Sequence, residues 1–207
     1  MLPDTILHIA NEEEFHWLLQ PELKAIKDGL IYVEDKHCVY LGFKGKYRGY
    51  LNAHGQRQGV GILIDIRSSK FIGEWHDDNL HGITKKEWSY GVIWWGQYKD
   101  GKKEGYLTQK YSDERVNYYQ WKNDEFNGYG IETDGDGRVY RGEFKDSWLD
   151  GYGLMKYPNK DEYDGQWKLW SKHGFGVFKE ASTGRVERRL YENDKVIEVL
   201  EVIEQGH

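Results

Sequence analysis

One spacing constrains this chain more than any other feature. Residues 140–153 read YRGEFKDSWLDGYG, and the pattern begins again at Tyr163 as YDGQWKLWSKHGFG. Earlier copies start at Asn117 (NYYQWKNDEFNGYG), Trp94 (WWGQYKDGKKEGYL) and Phe71 (FIGEWHDDNLHGIT). The starts 71, 94, 117, 140 and 163 lie 23 residues apart with no gap. Carried back to 48, the period lands on Gly59 and Gly61, with Tyr47-Arg48-Gly49 displaced by one residue. Carried forward to 186, VERRLYENDKVIEV keeps Tyr191, Asn193 and Asp194 but has lost the glycines. A chain built from one short unit cannot assemble a single large core. Each unit must bury its apolar face against its neighbours, and the two ends need caps.

Within a unit the side chains alternate. Tyr140, Gly142 and Phe144 fall on one face and Arg141, Glu143 and Lys145 on the other, the period of a strand. Asp77-Asp78, Asp100-Gly101, Asn123-Asp124 and Asp146-Ser147 follow, residue types that tolerate positive φ in two-residue hairpin turns. Each unit is therefore expected to be a β-hairpin, and the array an elongated antiparallel sheet. Two strands per unit give about 10 Å of rise per repeat, and six units roughly 60 Å. The glycines have a mechanical reason: a ring can lie flat over a strand only where no Cβ intervenes. Trp75, Tyr98, Trp121, Phe144 and Trp167 should form one ladder, and Ile83, Tyr106, Tyr129, Tyr152 and Phe175 a second row.

The elements Tyr140-x-Gly142-x-Phe144, Gly151 and Gly153, returning every 23 residues, resemble the MORN repeat (membrane occupation and recognition nexus) over about three quarters of the chain. Departures are Tyr119 at the first glycine, and Thr84 and Leu107 at the last. The resemblance implies an interaction module in a cytoskeletal, ciliary or membrane-proximal assembly. The expected organisation is a helical or irregular N-terminal cap over 1–46, the repeat array over 47–185, and a degenerate closing repeat with tail over 186–207. Asn11 with Glu14 forms a capping-box pattern, Phe15, Leu18, Leu19 and Leu23 have near-helical spacing, and Pro21 divides that segment. The C-terminal KVIEVLEVIEQGH suits strand or helix.

Composition narrows the function. A net charge of −6 argues against generic binding to nucleic acid or anionic membrane, although a local patch stays open. Cys38 has no partner for an internal disulfide, which suits a reducing compartment. The N-terminus lacks the basic and long apolar regions of a secretory signal, and no stretch approaches 18 apolar residues. A cytoplasmic protein is expected, with a cytoskeletal or ciliary association.

Motifs that suggest chemistry lack its context. The Gly-x-Gly pairs precede neither Lys-Ser/Thr nor a third glycine and helix, so no phosphate loop is expected. ETDGDGRVYRGE fits a calcium loop at Glu132, Asp134, Asp136, Gly137 and Glu143, yet repeat strands flank it where helices belong. Glu143 also has a repeat explanation, because its column reads Glu74, Gln97, Gln120, Glu143, Gln166. The eight histidines show no zinc spacing, and no nucleophile–base arrangement is legible. Neither an enzyme nor a cofactor or metal is expected.

The expected function is a scaffold that binds a partner peptide or helix, or a second copy of itself. Its contact residues would be the ladder Trp75, Tyr98, Trp121, Phe144 and Trp167 with the apolar tips Phe126, Trp148, Leu149 and Trp170; Leu80 also stands at a tip. Ile72, Trp95 and Tyr118 form an outer apolar row that gives way to Arg141 and Asp164. A partner or the chain's own N-terminal helix would cover that row. The alternative is a peripheral module in which Lys99, Lys122, Lys145 and Lys168 meet anionic lipid headgroups.

Overall fold

The computed structural model describes residues 29–204. Every element among them is a strand. A first unit, ending at Arg115, holds β1 (Ile31–Tyr40), β2 (Phe43–Leu51), β3 (Arg57–Asp65), β4 (Lys70–His76), β5 (Asn79–Glu87), β6 (Ile93–Lys99) and β7 (Lys102–Lys110). A second, from Val116, holds β8 (Val116–Lys122), β9 (Glu125–Thr133), β10 (Val139–Lys145), β11 (Trp148–Lys156), β12 (Glu162–Lys168), β13 (Ser171–Lys179), β14 (Val186–Glu192) and β15 (Lys195–Glu204). In each unit every strand pairs antiparallel with the next, so the sheets are simple meanders.

The expected helical segment around Asn11 to Leu23 lies outside the described residues. Residues 31–46, assigned above to an irregular cap, are instead β1 and the start of β2. The period failed to reveal β1 because IYVEDKHCVY has no glycine to carry it. The ambiguous C-terminal stretch is strand β15, as its β-branched residues favour.

The hairpin turns match expectation. Both central residues have positive φ in Asp77-Asp78 (46° and 68°), Asn123-Asp124 (53° and 71°) and Asp146-Ser147 (50° and 68°). That is the turn whose twist suits flanking strands. In the Asp77-Asp78, Asp100-Gly101, Asp146-Ser147 and Leu169-Trp170 turns the second residue also ties its hairpin to the preceding one. Ser147 N donates to Phe126 O at 3.0 Å, and Trp170 N to Leu149 O at 3.2 Å.

The core lies on one face, where rings rest on glycines. A Cβ placed on Gly153 would sit 2.2–2.4 Å from the Tyr140 ring, and one on Gly176 2.3–2.6 Å from the Tyr163 ring. The hydroxyls finish the contact: Tyr140 donates to Glu143 O at 3.1 Å and Tyr163 to Gln166 O at 2.9 Å. Trp167 donates its indole N–H to Gly153 O at 3.0 Å. In the second unit an edge-to-face chain runs Tyr119–Phe144–Tyr140–Trp167–Tyr163–Tyr191, with centroids 5.1–5.6 Å apart. Perpendicular rings set positive edges against negative faces, the arrangement aromatic pairs prefer.

A methyl group in this layer has nowhere to go. Gly153→Ala is expected to cost about 1–3 kcal/mol through overpacking. Gly135→Ala, at a turn position with open space around it, should stay within about 0.5 kcal/mol of the parent. Urea denaturation of the two variants checks this; equal stabilities would remove the ring-on-glycine account.

Candidate functional site

The residues expected to contact a partner divide into two sets. Trp75, Tyr98, Trp121, Phe144 and Trp167 are only 2–6% exposed. Neighbouring rings pack on Trp75, Trp121, Phe144 and Trp167, and the Lys86 ammonium lies 4.3 Å from the Tyr98 centroid, so the five are core and not an open groove. Leu149 and Leu80, read as tips, are also core, at 1% and 0% exposure. Both occupy one repeat column with Arg57, Lys103, Phe126 and Lys172, whose side chains lie against the rings. Arg57 packs 4.6 Å from the Trp75 centroid, and Lys103 5.0 Å from that of Trp94. Phe126 stacks on Tyr119 at 4.1 Å. The Lys172 ammonium lies 5.2–5.7 Å from Tyr157, Tyr163, Phe178 and Tyr191; burial lowers its pKa, and Asp194 pulls the other way. Leu, Phe and a cation are interchangeable there because each can cover a ring face.

Trp148 and Trp170 remain exposed, at 48% and 42%, joined by Leu169 at 57%. Trp148 opens β11, just after its turn, and pairs with Lys145. Leu169 and Trp170 are themselves the two central turn residues, at φ 50° and 70°. The left-handed region suits Asp, Asn or Gly, and a branched or bulky side chain there is a true outlier. No signal in the 23-residue pattern explains the pair. Trp170 leans on the Phe144 edge at 6.4 Å and leaves much of its indole open.

The other sheet face carries the second aromatic row. Tyr129 is 44% exposed, Tyr152 59% and Phe175 56%, each on the middle residue of a glycine pair or its equivalent. They come from β9, β11 and β13, two strands apart, which spaces them by about 10 Å. Half-buried Ile131, Leu154 and Val177 extend the three apolar stripes along the same strands. Between them β10 and β12 present Arg141, Glu143, Asp164 and Gln166. In the first unit Tyr106 is exposed and Ile72 and Trp95 are half-buried, as is Tyr118 in the second.

The Glu/Gln column between the stripes has a structural task. Glu143 Oε2 accepts from Tyr152 N at 3.1 Å, and Gln166 Oε1 from Phe175 N at 2.9 Å. The strand pairing shifts here, and Gly151 takes φ 111°, with the Glu143 carboxylate where its Cβ would stand. Each acceptor closes a β-bulge and leaves the next aromatic side chain outward. Glu143 is thus committed away from any calcium loop. Asp134 is committed too: its carboxylate accepts from Asp136 N, Arg138 N and Arg138 Nε at 2.6–2.9 Å. Burial acts to raise its pKa, but those bonds win and hold it below the usual carboxylate range.

Lys99, Lys122, Lys145 and Lys168 are exposed at the ends of β6, β8, β10 and β12. Asp100, Asn123 and Asp146 follow the first three, whereas Leu169 follows Lys168. A further grouping was invisible in the linear spacing. The hairpin brings His76 and His81 to 5.5 Å between ring centroids, with His81 Nδ1 3.3 Å from Asp100 Oδ1. That nitrogen already accepts from Asp100 N at 3.4 Å, and the groups are largely exposed, as in an ordinary tip-to-tip contact.

Comparison with known families matches the MORN repeat in five segments, 71–83, 96–106, 120–137, 140–162 and 163–179. The chain is a MORN-repeat protein. The matched segments place the family's positions on the hairpins described above, and the first two stop short of Thr84 and Leu107, where this MORN protein lacks the last glycine. Comparison with curated proteins finds no match. Among solved structures, similarity extends to the SAS-4 (dCPAP) TCP domain in complex with a proline-rich motif of Ana2 (dSTIL) of Drosophila melanogaster. The TM-score is 0.42 at 8% identity, covering 75% of this chain and 89% of that one.

The Leu169-Trp170 turn gives a direct test of strain. Replacing it with Asn-Gly should stabilise the protein by about 1 kcal/mol or more, since both residues then suit their backbone. The urea midpoint reads this; a lower midpoint would mean that the two side chains are held for folding.

Proposed function

We propose that this MORN protein is a non-enzymatic scaffold that docks an apolar peptide or helix of a protein partner. The observation that carries the reading is the row Tyr129, Tyr152 and Phe175. The sheet does not need these side chains for its core, yet bulge-closing Glu143 and Gln166 orient the strands that bear them. Exposed tyrosines in a rigid row are favourable anchors because they bring large area at small entropic cost. The charged strands between the stripes would set the partner's register. A place in a cytoskeletal, ciliary or membrane-proximal assembly is compatible with this use, as is pairing with a second copy.

A second reading has one observation of its own. Lys168 stands beside the open Leu169-Trp170 tip, with Trp148 and Lys145 on the preceding hairpin. Cations beside exposed indoles suit a membrane interface bearing anionic headgroups.

Two measurements separate the readings. Proximity labelling in cells should lose a defined set of proteins when Tyr129, Tyr152 and Phe175 become Ser, and keep it when Lys99, Lys122, Lys145 and Lys168 become Gln. Vesicles containing phosphoinositide should fail to float the wild-type protein at physiological salt. Flotation abolished by the lysine variant, with the labelled set unchanged by the serine variant, would replace the scaffold by the membrane module.

A further inference from the structure

The end of the second unit breaks a rule of repeat proteins. A terminal strand should turn a polar edge to water, because its outer side has no neighbour. Strand β15 instead carries three triplets, Val196-Ile197-Glu198, Val199-Leu200-Glu201 and Val202-Ile203-Glu204. All six apolar residues are exposed, by 37–55%.

The pairing with β14 explains how a period of three fits a partner with a period of two. Val196, Val199 and Val202 pair with Tyr191, Arg189 and Glu187. Glu198 and Glu201 pair with Leu190 and Arg188, and Glu204 with Val186. Ile197, Leu200 and Ile203 have no opposite residue, and the register shifts at each of them. The valines therefore continue the core face, and Glu198 and Glu201 the outer face. The three extra residues are left at the edge, one per bulge.

We infer that the β15 edge is a docking site for a basic amphipathic helix from a protein partner. Three features select that occupant. First, repeated bulges interrupt the ladder of backbone donors and acceptors, which disfavours an added strand. Second, each triplet advances by two residues of β14, about 6.6 Å, and one side chain every fourth residue of a helix advances about 6 Å. A helix can thus set successive apolar residues between Ile197, Leu200 and Ile203. Third, the segment 192–204 holds five acidic residues against Lys195, and Arg188 of β14 engages one of them, Glu201, at 3.4 Å, so the balance stays acidic and a complementary face is cationic. A second copy fits less well. The register with full overlap, Lys195 opposite Glu204, sets Glu198 against Glu201.

The site is independent of the aromatic row proposed above, and the experiment keeps the two apart. The probe is a synthetic 18-residue helix with leucines on one stripe and lysines flanking it; its twin carries glutamates in place of the lysines. Fluorescence anisotropy with the full chain should show saturable micromolar binding of the lysine peptide and at least tenfold weaker binding of the twin. Leu200→Asn with Ile203→Asn should weaken the lysine peptide at least tenfold while near-UV circular dichroism stays unchanged. Tyr152→Ser should leave its affinity unaltered. Equal affinity for the two peptides, or full affinity in the Leu200/Ile203 variant, overturns the proposal. So does a dimer in light scattering that the same variant converts to monomer, since a second copy would then hold the edge.

Discussion

The contact of a tyrosine ring with two glycines on adjacent strands is the constraint on which the other features depend. It makes the sheet thin on its core face, because the ring lies on backbone and not on other side chains. It explains why glycines return at a fixed spacing in strands, where they otherwise weaken the structure. The units that depart from the pattern support this. Where Phe71 or Trp94 replaces the tyrosine, Thr84 or Leu107 replaces the second glycine, and a Cβ at Gly73 or Gly96 would then meet the Ile83 or Tyr106 carbonyl oxygen and Thr84 or Leu107, with no ring among its nearest atoms. Where Asn117 replaces the tyrosine, Tyr119 takes the first glycine's place and supplies the ring from there. Asn117 Nδ2 donates to its hydroxyl at 3.1 Å, and the Asn117 side-chain Oδ1 accepts from Thr133 N at 2.8 Å.

This contact also decides which aromatics are free to work. A ring seated on glycine is building material, however prominent it is in the repeat. A column of Arg, Leu, Lys and Phe side chains then covers the layer, which turns apparent apolar tips such as Leu149 into core. In the second unit what remains open is small and positioned: Tyr129, Tyr152 and Phe175 on the outer face, Trp148, Leu169 and Trp170 at the tips, and the edge of β15. Burial fixes the former set chemically as well. It pushes the Tyr140 and Tyr163 hydroxyls far above their ordinary pKa, so they stay protonated hydrogen-bond donors.

The architecture was legible in the linear chain because both of its determinants are local. The 23-residue spacing marks the hairpins, and Asp, Asn and Gly mark their turns. The ring row was read correctly as a row and wrongly as a surface. Sequence shows which residues share a face, but only the register shows that the facing glycines let the rings sink into that face. Trp170 was legible as a tip, but Leu169-Trp170 was not legible as the turn itself because its residue types contradict its backbone. Strand β1 escaped because it has no glycine, and the bulged edge of β15 because a three-residue period mimics a helix. His76, His81 and Asp100 meet only through pairing between hairpins.

The central claim is that ring and glycine act as one unit, and a double-mutant cycle on Tyr163 and Gly176 tests it most directly. Every nearest atom to a Cβ at Gly176 belongs to that ring. Stabilities of the parent, Tyr163→Leu, Gly176→Ala and the double variant are read by urea denaturation. Removing the ring should make the added methyl nearly harmless, giving a coupling energy of about 1 kcal/mol or more. Additive losses would show that glycine serves the backbone alone and would contradict the account.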